Sequence, residues 1–168
     1  MSVIKHKEQR VALLIDTQNM YHSARNLYAS RVNFKEVLKL SVNNRKLIRA
    51  ISYGIKTEGQ DEKTFFEALT RLGIETKMKD LQVYAGGMKK GDWDVGIAID
   101  AVRLSSSVDV IVLISGDGDF VPLVEYLKNQ GKQVEIVAFA KTTSQKLKDA
   151  SDDFQDIGSP KFLIKSDK

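Results

Sequence analysis

Short aliphatic runs that alternate with segments of helical periodicity constrain the fold of this 168-residue chain more than any other feature. The two most aliphatic runs are VALLID at residues 11–16 and DVIVLIS at residues 109–115. Each is bounded by turn residues, which is typical of a parallel strand buried on both faces. Because strands that alternate with helices form a sheet covered by those helices, we predict an α/β fold with three α/β/α layers and a central, mainly parallel sheet.

The same patterns predict the remaining elements. Strands are expected at 47–55 and 133–140, with weaker candidates at 74–78, 81–85 and 153–157. Helices are expected at 19–29, 33–41, 61–73, 93–104, 120–131 and 143–151, and a loop is expected at 86–92. There is no internal repeat and no linker, so we predict one domain over residues 1–158 and a C-terminal tail over 159–168.

Residue usage limits the chemistry that this chain can perform. It has no cysteine, which excludes disulfides, thiolate metal sites and cysteine catalysis, and only two histidines, His6 and His22, which disfavours a histidine zinc site. A metal would therefore lie among oxygen atoms, and such ligands favour Mg²⁺ or Mn²⁺. No apolar run is long enough for a membrane span and the N-terminus lacks a signal core, so a cytoplasmic protein without a membrane partner is expected.

Charge is distributed unevenly along the chain. Residues 31–56 contain seven lysines or arginines and one acid, whereas residues 92–119 contain six aspartates and one arginine. Taken alone, the basic segment is typical of a solvated face. Together, the two segments suit an acidic site with basic flanks, which an enzyme that cuts a polyanion needs.

Two aspartates follow the two most aliphatic strands. Asp16 ends the first run and Asp117 comes directly after the second. Ligands of parallel α/β sheets bind beyond the carboxyl ends of the strands, so these carboxylates converge if the strands are neighbours. Taken singly, Asp16, Asp117 and Asp119 are also explained as helix caps or turn residues.

The predicted helix at 93–104 supplies another acid. Asp94 falls within a broad apolar arc, whereas Asp100 falls on the narrow polar side; the arc comprises Val95, Ile97, Ala98, Ile99, Ala101 and Val102. A carboxylate that faces a core is costly unless it is paired or bound to a cation, although Asp94 could instead face solvent in the first turn. Clustered carboxylates repel one another, and a divalent cation removes that repulsion.

Three motifs in order resemble the NYN domain family, and in particular its bacterial LabA-like group within the PIN-like nuclease superfamily. They are DTQN at 16–19, KKGDWD with IAID at 89–100, and SGDGDF at 115–120. The resemblance covers roughly residues 9–157. It implies a PIN-like fold and divalent-metal-dependent cleavage of RNA phosphodiester bonds.

The resemblance also implies roles for particular residues. The implied catalytic set is Asp16, Asn19, Asp94, Asp117 and Asp119, and its four aspartates would be ligands of Mg²⁺ or Mn²⁺. Lys90 and Ser115 are expected to contact the substrate, and Asp100 is a candidate position behind the metal ligands. The expected partner is RNA in single-stranded form, and a homodimer is compatible with the family. Trp93 or Tyr21 could stack on a base, although we expect a core position for both.

Other folds that use metals or acids fit less well. A haloacid-dehalogenase-type phosphatase needs a second aspartate where this chain has Gln18, and a TOPRIM domain normally has a strand-end glutamate where this chain has Asp16. The phosphate-binding motif of P-loop NTPases is absent, and His22 has no serine elbow to serve. Two functions remain: a metal-dependent ribonuclease, or a regulatory module that binds RNA or protein on the same fold. The acids favour the ribonuclease, because a module that only binds has no need to keep carboxylates that repel one another.

Overall fold

The structure is a computed structural model that describes residues 3–56, 60–80, 82–83, 89–90 and 92–165. Its strands are β1 (Arg10–Asp16), β2 (Ser30–Val32), β3 (Lys46–Lys56), β4 (Glu75–Asp80), β5 (Gln82–Val83), β6 (Lys89–Lys90), β7 (Val110–Ile114), β8 (Gln133–Ala138), β9 (Asp153–Asp156) and β10 (Leu163–Lys165). Its helices are α1 (Thr17–Tyr28), α2 (Phe34–Val42), α3 (Gln60–Arg71), α4 (Asp94–Ser105), α5 (Val121–Asn129) and α6 (Gln145–Ala150).

Six strands form one sheet in the order β4-β3-β1-β7-β8-β9, and every neighbouring pair is parallel. The central strands β1 and β7 are buried along almost their whole length, so both faces of the sheet are covered. This confirms the predicted α/β fold with a central parallel sheet. It also makes β1 and β7 neighbours, with Ile15 opposite Ile114, so the residues that follow these two strands lie at one edge.

Local sequence signals explain how the helices next to this edge begin. The Asp16 side chain accepts a hydrogen bond from the Asn19 backbone N–H and so caps α1. Asn33 caps α2 in the same way, by accepting a hydrogen bond from the Glu36 backbone N–H. Pro122 occupies the first turn of α5, where a missing N–H costs no helical hydrogen bond. Thus α1 begins directly after β1, whereas α5 begins at Val121, beyond the loop that follows β7.

The structure differs from the sequence prediction in several short segments. The predicted tail packs on the domain, because β10 pairs antiparallel with β2 and Phe162 is buried in the core. The predicted loop at 86–92 contains β6, which pairs with β5 inside the predicted strand 81–85; residues 81, 84–88 and 91 lie outside the described part of the chain. Strands of two or three residues are too short to show a period, so sequence patterns miss them.

One residue of the basic segment is not a solvated cation. Arg45 is buried and donates two hydrogen bonds, of 2.8 and 2.9 Å, to the Glu135 carboxylate on β8. Lys5 bridges the same network by binding Asp153 at 2.9 Å. Buried ions of this kind require such complete pairing, so Arg45 contributes to the fold and not to a basic surface.

Among the described residues, no helix has both the length and the apolar character needed to cross a membrane.

Candidate functional site

Three aspartates from three parts of the chain meet at the carboxyl edge of the sheet. Asp16 ends β1, Asp117 lies three residues beyond the end of β7, and Asp94 begins α4. One carboxylate oxygen of each lies within 4.8 Å of the others. Asp16 is buried, with 8% of its surface exposed, while Asp94 and Asp117 are partly buried. The fold therefore brings together three of the four predicted metal ligands.

Hydrogen bonds from the first turn of α1 and from the loop after β7 hold these acids in place. The Ser115 hydroxyl donates to Asp16 Oδ2 at 2.9 Å and accepts from the Asp117 backbone N–H at 3.2 Å. Asn19 Oδ1 accepts from the Gly116 backbone N–H at 3.0 Å, while its own backbone N–H donates to Asp16 Oδ1 at 3.3 Å. The first turn of α1 is thus tied directly to the loop after β7.

This arrangement changes the interpretation of Ser115. The sequence predicts that Ser115 contacts the substrate, but its side chain is completely buried behind the acids. Its hydroxyl orients Asp16 and Asp117, and its predicted substrate contact stays a prediction that this burial does not support. Asn19 uses its side-chain oxygen to join α1 to the loop after β7, and its predicted catalytic role also stays a prediction.

Asp119 lies outside the group of three acids. It is exposed, in a short 3₁₀ turn (Gly118–Phe120), and its backbone N–H donates to Asp117 Oδ1 at 2.9 Å. Asp117 therefore caps this turn, and the expected place of Asp119 among the metal ligands is not supported by its position. Together with Asp94, Asp119 borders an open groove of about 410 Å³ between α4 and α5.

The helical wheel of α4 places Asp100 wrongly. Its carboxylate is buried and accepts hydrogen bonds of 2.8 Å from both the Tyr53 hydroxyl and the Lys77 ammonium group. Ile97 and Ala101 of the predicted apolar arc are buried, but Val95 at 71% and Ile99 at 47% are exposed. The buried face of α4 includes Asp100 because β3 and β4 supply partners for its carboxylate.

The charges around Asp100 follow from these contacts. Burial acts to raise the pKa of Asp100, but the hydrogen bonds from Lys77 and Tyr53 outweigh it, so its pKa is lowered. Burial and the hydrogen bond to Asp100 raise the pKa of Tyr53 far above its ordinary range. Asp100 is therefore an ionised carboxylate on the buried side of α4, paired with Lys77 and Tyr53. Sequence patterns do not reveal these two partners.

The three clustered acids repel one another. Burial, followed by the negative charges of Asp117, Asp16 and Asp92, raises the pKa of Asp94 to about 7. Burial also raises the pKa of Asp16, although hydrogen bonds from Ser115 and Asn19 oppose the effect. A cluster that resists full ionisation is one that a cation would stabilise.

The donor atoms fit a divalent cation. Two oxygen ligands on opposite sides of a Mg²⁺ ion lie at most about 4.2 Å apart, since each Mg–O distance is about 2.1 Å. The observed separations, all within 4.8 Å, require only a small contraction around an ion. All three donors are carboxylates, the ligands that Mg²⁺ and Mn²⁺ prefer. Asp16, Asp94 and Asp117 could therefore hold either metal.

Several further residues of the motifs can be placed. Asp92 accepts a hydrogen bond of 3.3 Å from the Asp94 backbone N–H two residues on and so forms a turn that leads into α4. An aspartate shortly before a predicted helix is the sequence signal for such a turn. Trp93 packs on Tyr53 and donates its indole N–H to the Gly54 carbonyl at 2.9 Å. Lys90 lies in β6, but its side chain is outside the described part of the structure, so its substrate contact stays a prediction.

Comparisons with known proteins agree with the family resemblance of the sequence motifs. The family model of the NYN domain matches residues 10–158. The chain is 29% identical to the low amplitude and bright protein LabA of Synechococcus elongatus, in an alignment of 171 positions that covers 94% of this chain and 89% of that protein. An uncharacterized protein of Methanocaldococcus jannaschii is 27% identical, and the alignment covers 90% of this chain and 56% of the longer relative.

A solved structure has the same fold. It is the crystal structure of a protein of unknown function from Vibrio parahaemolyticus, with 32% sequence identity and a TM-score of 0.88. The match covers 96% of this chain and all of that one. The three-layer architecture described above is thus similar to an architecture observed by crystallography.

Proposed function

The chain belongs to the NYN domain family of the PIN-like nuclease superfamily, and from this membership we propose that it is a divalent-metal-dependent ribonuclease that hydrolyses RNA phosphodiester bonds. The observation that carries the proposal is the meeting of Asp16, Asp94 and Asp117 at the carboxyl edge of the sheet. Ligands of parallel α/β proteins bind at this edge. Three clustered acids are hard to explain there by folding alone, because they repel one another.

We assign the metal to these three carboxylates. A bound Mg²⁺ or Mn²⁺ would supply Lewis-acid activation of a water molecule and of the phosphate oxygens. Asp16 and Asp117 are oriented by Ser115, and Asp16 is held also by the Asn19 backbone. Groups that are already oriented need little reorganisation during the reaction, which is the main way a protein stabilises developing charge.

The direct test is cleavage of a labelled, unstructured RNA in the presence of millimolar Mn²⁺. Wild-type protein is expected to cut the RNA, and Asp94→Asn is expected to abolish cleavage because it removes a carboxylate ligand. Asp119→Asn is expected to retain activity, since Asp119 lies outside the group of three. Glu125→Gln, at an exposed acid on α5, is a matched control for the loss of one negative charge. Equal cleavage by Asp94→Asn and wild-type protein would refute the proposal.

Metal binding can be measured separately from cleavage. Added Mn²⁺ is expected to raise the thermal midpoint of the wild-type protein, because a ligand that binds only the folded state stabilises it. Asp16→Asn is expected to remove most of this rise. A wild-type protein that binds RNA but shows neither a Mn²⁺ response nor cleavage would instead fit the regulatory binding module.

A further inference from the structure

The exposed face of α1 carries an aromatic and basic stripe that begins beside the acids. The buried residues of α1 include Thr17, Met20, Ser23 and Ala24, so the opposite face is directed to solvent. Positions three and four residues apart share one face of a helix. On the solvent face they form a continuous stripe made of Gln18, Tyr21, His22 and Arg25.

Tyr21 is the aromatic centre of this stripe. It is 49% exposed, so the prediction of a core position for Tyr21 is wrong. Arg25 donates a hydrogen bond to the Tyr21 hydroxyl at 3.3 Å, and the His22 ring lies edge-on to the tyrosine ring with centroids 5.5 Å apart. His22 in turn contacts the Gln18 side chain at 3.1 Å. The side chains of the stripe therefore hold one another in a defined arrangement although they face solvent.

The charge of α1 suits a polyanion. The helix contains Arg25 and no aspartate or glutamate. At its C-terminal end the ammonium group of Lys141 lies 5.7 Å from the centre of the Tyr28 ring, which extends the positive charge. The stripe from Gln18 to Arg25 is about 10 Å long, since a helix rises about 1.5 Å per residue. The stripe starts two residues after Asp16, so a nucleic-acid strand bound along it would reach the acids.

The groove on the other side of the acids is unsuited to the same ligand. It lies between α4 and α5, and its described lining residues are apolar, aromatic or acidic, with no lysine or arginine among them. Asp119, which lies outside the group of three acids, borders it and would repel phosphate groups with no described cation in the lining to offset its charge. Electrostatics thus favours α1 over the α4–α5 groove as the surface that approaches a nucleic-acid backbone.

We propose that the stripe of Gln18, Tyr21, His22 and Arg25 on α1 binds single-stranded RNA next to the phosphate to be cut. Tyr21 stacks on an unpaired base, and Arg25 contacts the adjacent backbone. Aromatic side chains stack on bases only where these are unpaired, so this surface selects single strands over duplexes. The proposal rests on the proposed ribonuclease function for its substrate, but it can be tested without cleavage.

The test is fluorescence anisotropy with a labelled oligouridylate and full-length protein, with a chelator present so that no metal-dependent cleavage occurs. Tyr21→Ala is expected to weaken binding by about 5- to 150-fold, the range found when a stacked aromatic is removed. Tyr21→Phe should restore most of the affinity, because it keeps the ring. Tyr126→Ala is the matched control, since Tyr126 is 47% exposed and borders the α4–α5 groove.

Arg25→Ala provides a second readout. Loss of one phosphate contact is expected to make the negative slope of log affinity against log salt shallower by about 0.7, the value for a single strand. Unchanged affinity in Tyr21→Ala, or an equal loss in Tyr126→Ala, would overturn the proposal, as would a wild-type protein that does not bind the oligouridylate. If the wild type binds RNA through Tyr21 yet never cleaves it with Mn²⁺, the α1 surface stands and the ribonuclease proposal fails. If the wild type cleaves RNA while Tyr21→Ala binds normally, only the α1 surface is refuted.

Discussion

Asp94→Asn is expected to stabilise the protein while removing its activity, because the substitution relieves repulsion inside the acidic cluster. In the folded protein the pKa of Asp94 is raised from 3.8 to about 7, first by burial and then by the charges of Asp117 and Asp16. Each pKa unit corresponds to about 1.4 kcal/mol, so this rise corresponds to at most about 4 kcal/mol. Asp94 is partly exposed, and solvent screening reduces the expected gain to about 1–2 kcal/mol.

The gain should depend on pH with a definite sign. Between pH 3.8 and about 7 the folded state keeps a proton on Asp94 that the unfolded state has released. The stability supplied by that proton is complete below the unfolded pKa and is lost as the pH rises through the folded pKa. An asparagine is neutral throughout, so Asp94→Asn should exceed wild-type stability by more at about pH 8 than at about pH 5.

Urea unfolding followed by circular dichroism, with a chelator present at both pH values, measures this difference. Glu125→Gln serves as the control, because it removes a charge from an exposed site on α5. An Asp94→Asn protein no more stable than wild type at the higher pH would refute the reasoning. An equal gain at both pH values would do the same, since it would show that charge is not the cause.

Three further substitutions test other parts of the structure. Gly96→Ala would ordinarily stabilise a helix by about 1 kcal/mol. Here the added Cβ would lie 2.5 Å from the Trp93 ring. We therefore expect the free energy of unfolding to fall by about 1–3 kcal/mol and the fluorescence of this single tryptophan to shift. Glu135→Gln should lower the free energy of unfolding by about 3–5 kcal/mol, because it leaves Arg45 buried without a carboxylate. Ser115→Ala should weaken Mn²⁺ affinity about 10- to 100-fold in a titration followed by thermal stability.

Each of these substitutions has an outcome that would contradict its basis. Higher stability with unchanged emission in Gly96→Ala would mean that the tryptophan does not pack against α4 as described. Glu8→Gln, in an exposed pair with Lys46, is the control for the buried ion pair and should leave the free energy of unfolding nearly unchanged. An equally small change in Glu135→Gln would mean that the buried Arg45 does not depend on this carboxylate. Unaltered Mn²⁺ affinity in Ser115→Ala would show that the acids do not depend on its hydroxyl.

Much of the fold and the centre of the site could be predicted from the sequence, because both depend on local patterns. Continuous aliphatic runs identified the strands, and alternation with helices identified a parallel sheet. Parallel strands end at one edge, so Asp16 and Asp117 could be placed together once β1 and β7 were assumed to be neighbours. The apolar arc of the predicted helix at 93–104 added Asp94, and the resemblance to the NYN family was confirmed by the family match.

The orientation of each side chain was decided only by the tertiary structure. A helical wheel assumes that the apolar side of a helix faces the core, but α4 turns Asp100 inward because Tyr53 and Lys77 lie there to pair with it. The same docking leaves Val95 exposed. Sequence spacing specifies which residues share a face, whereas packing against partners that are distant in the chain specifies where that face points. This is the physical reason why the acids were predictable and the surfaces around them were not.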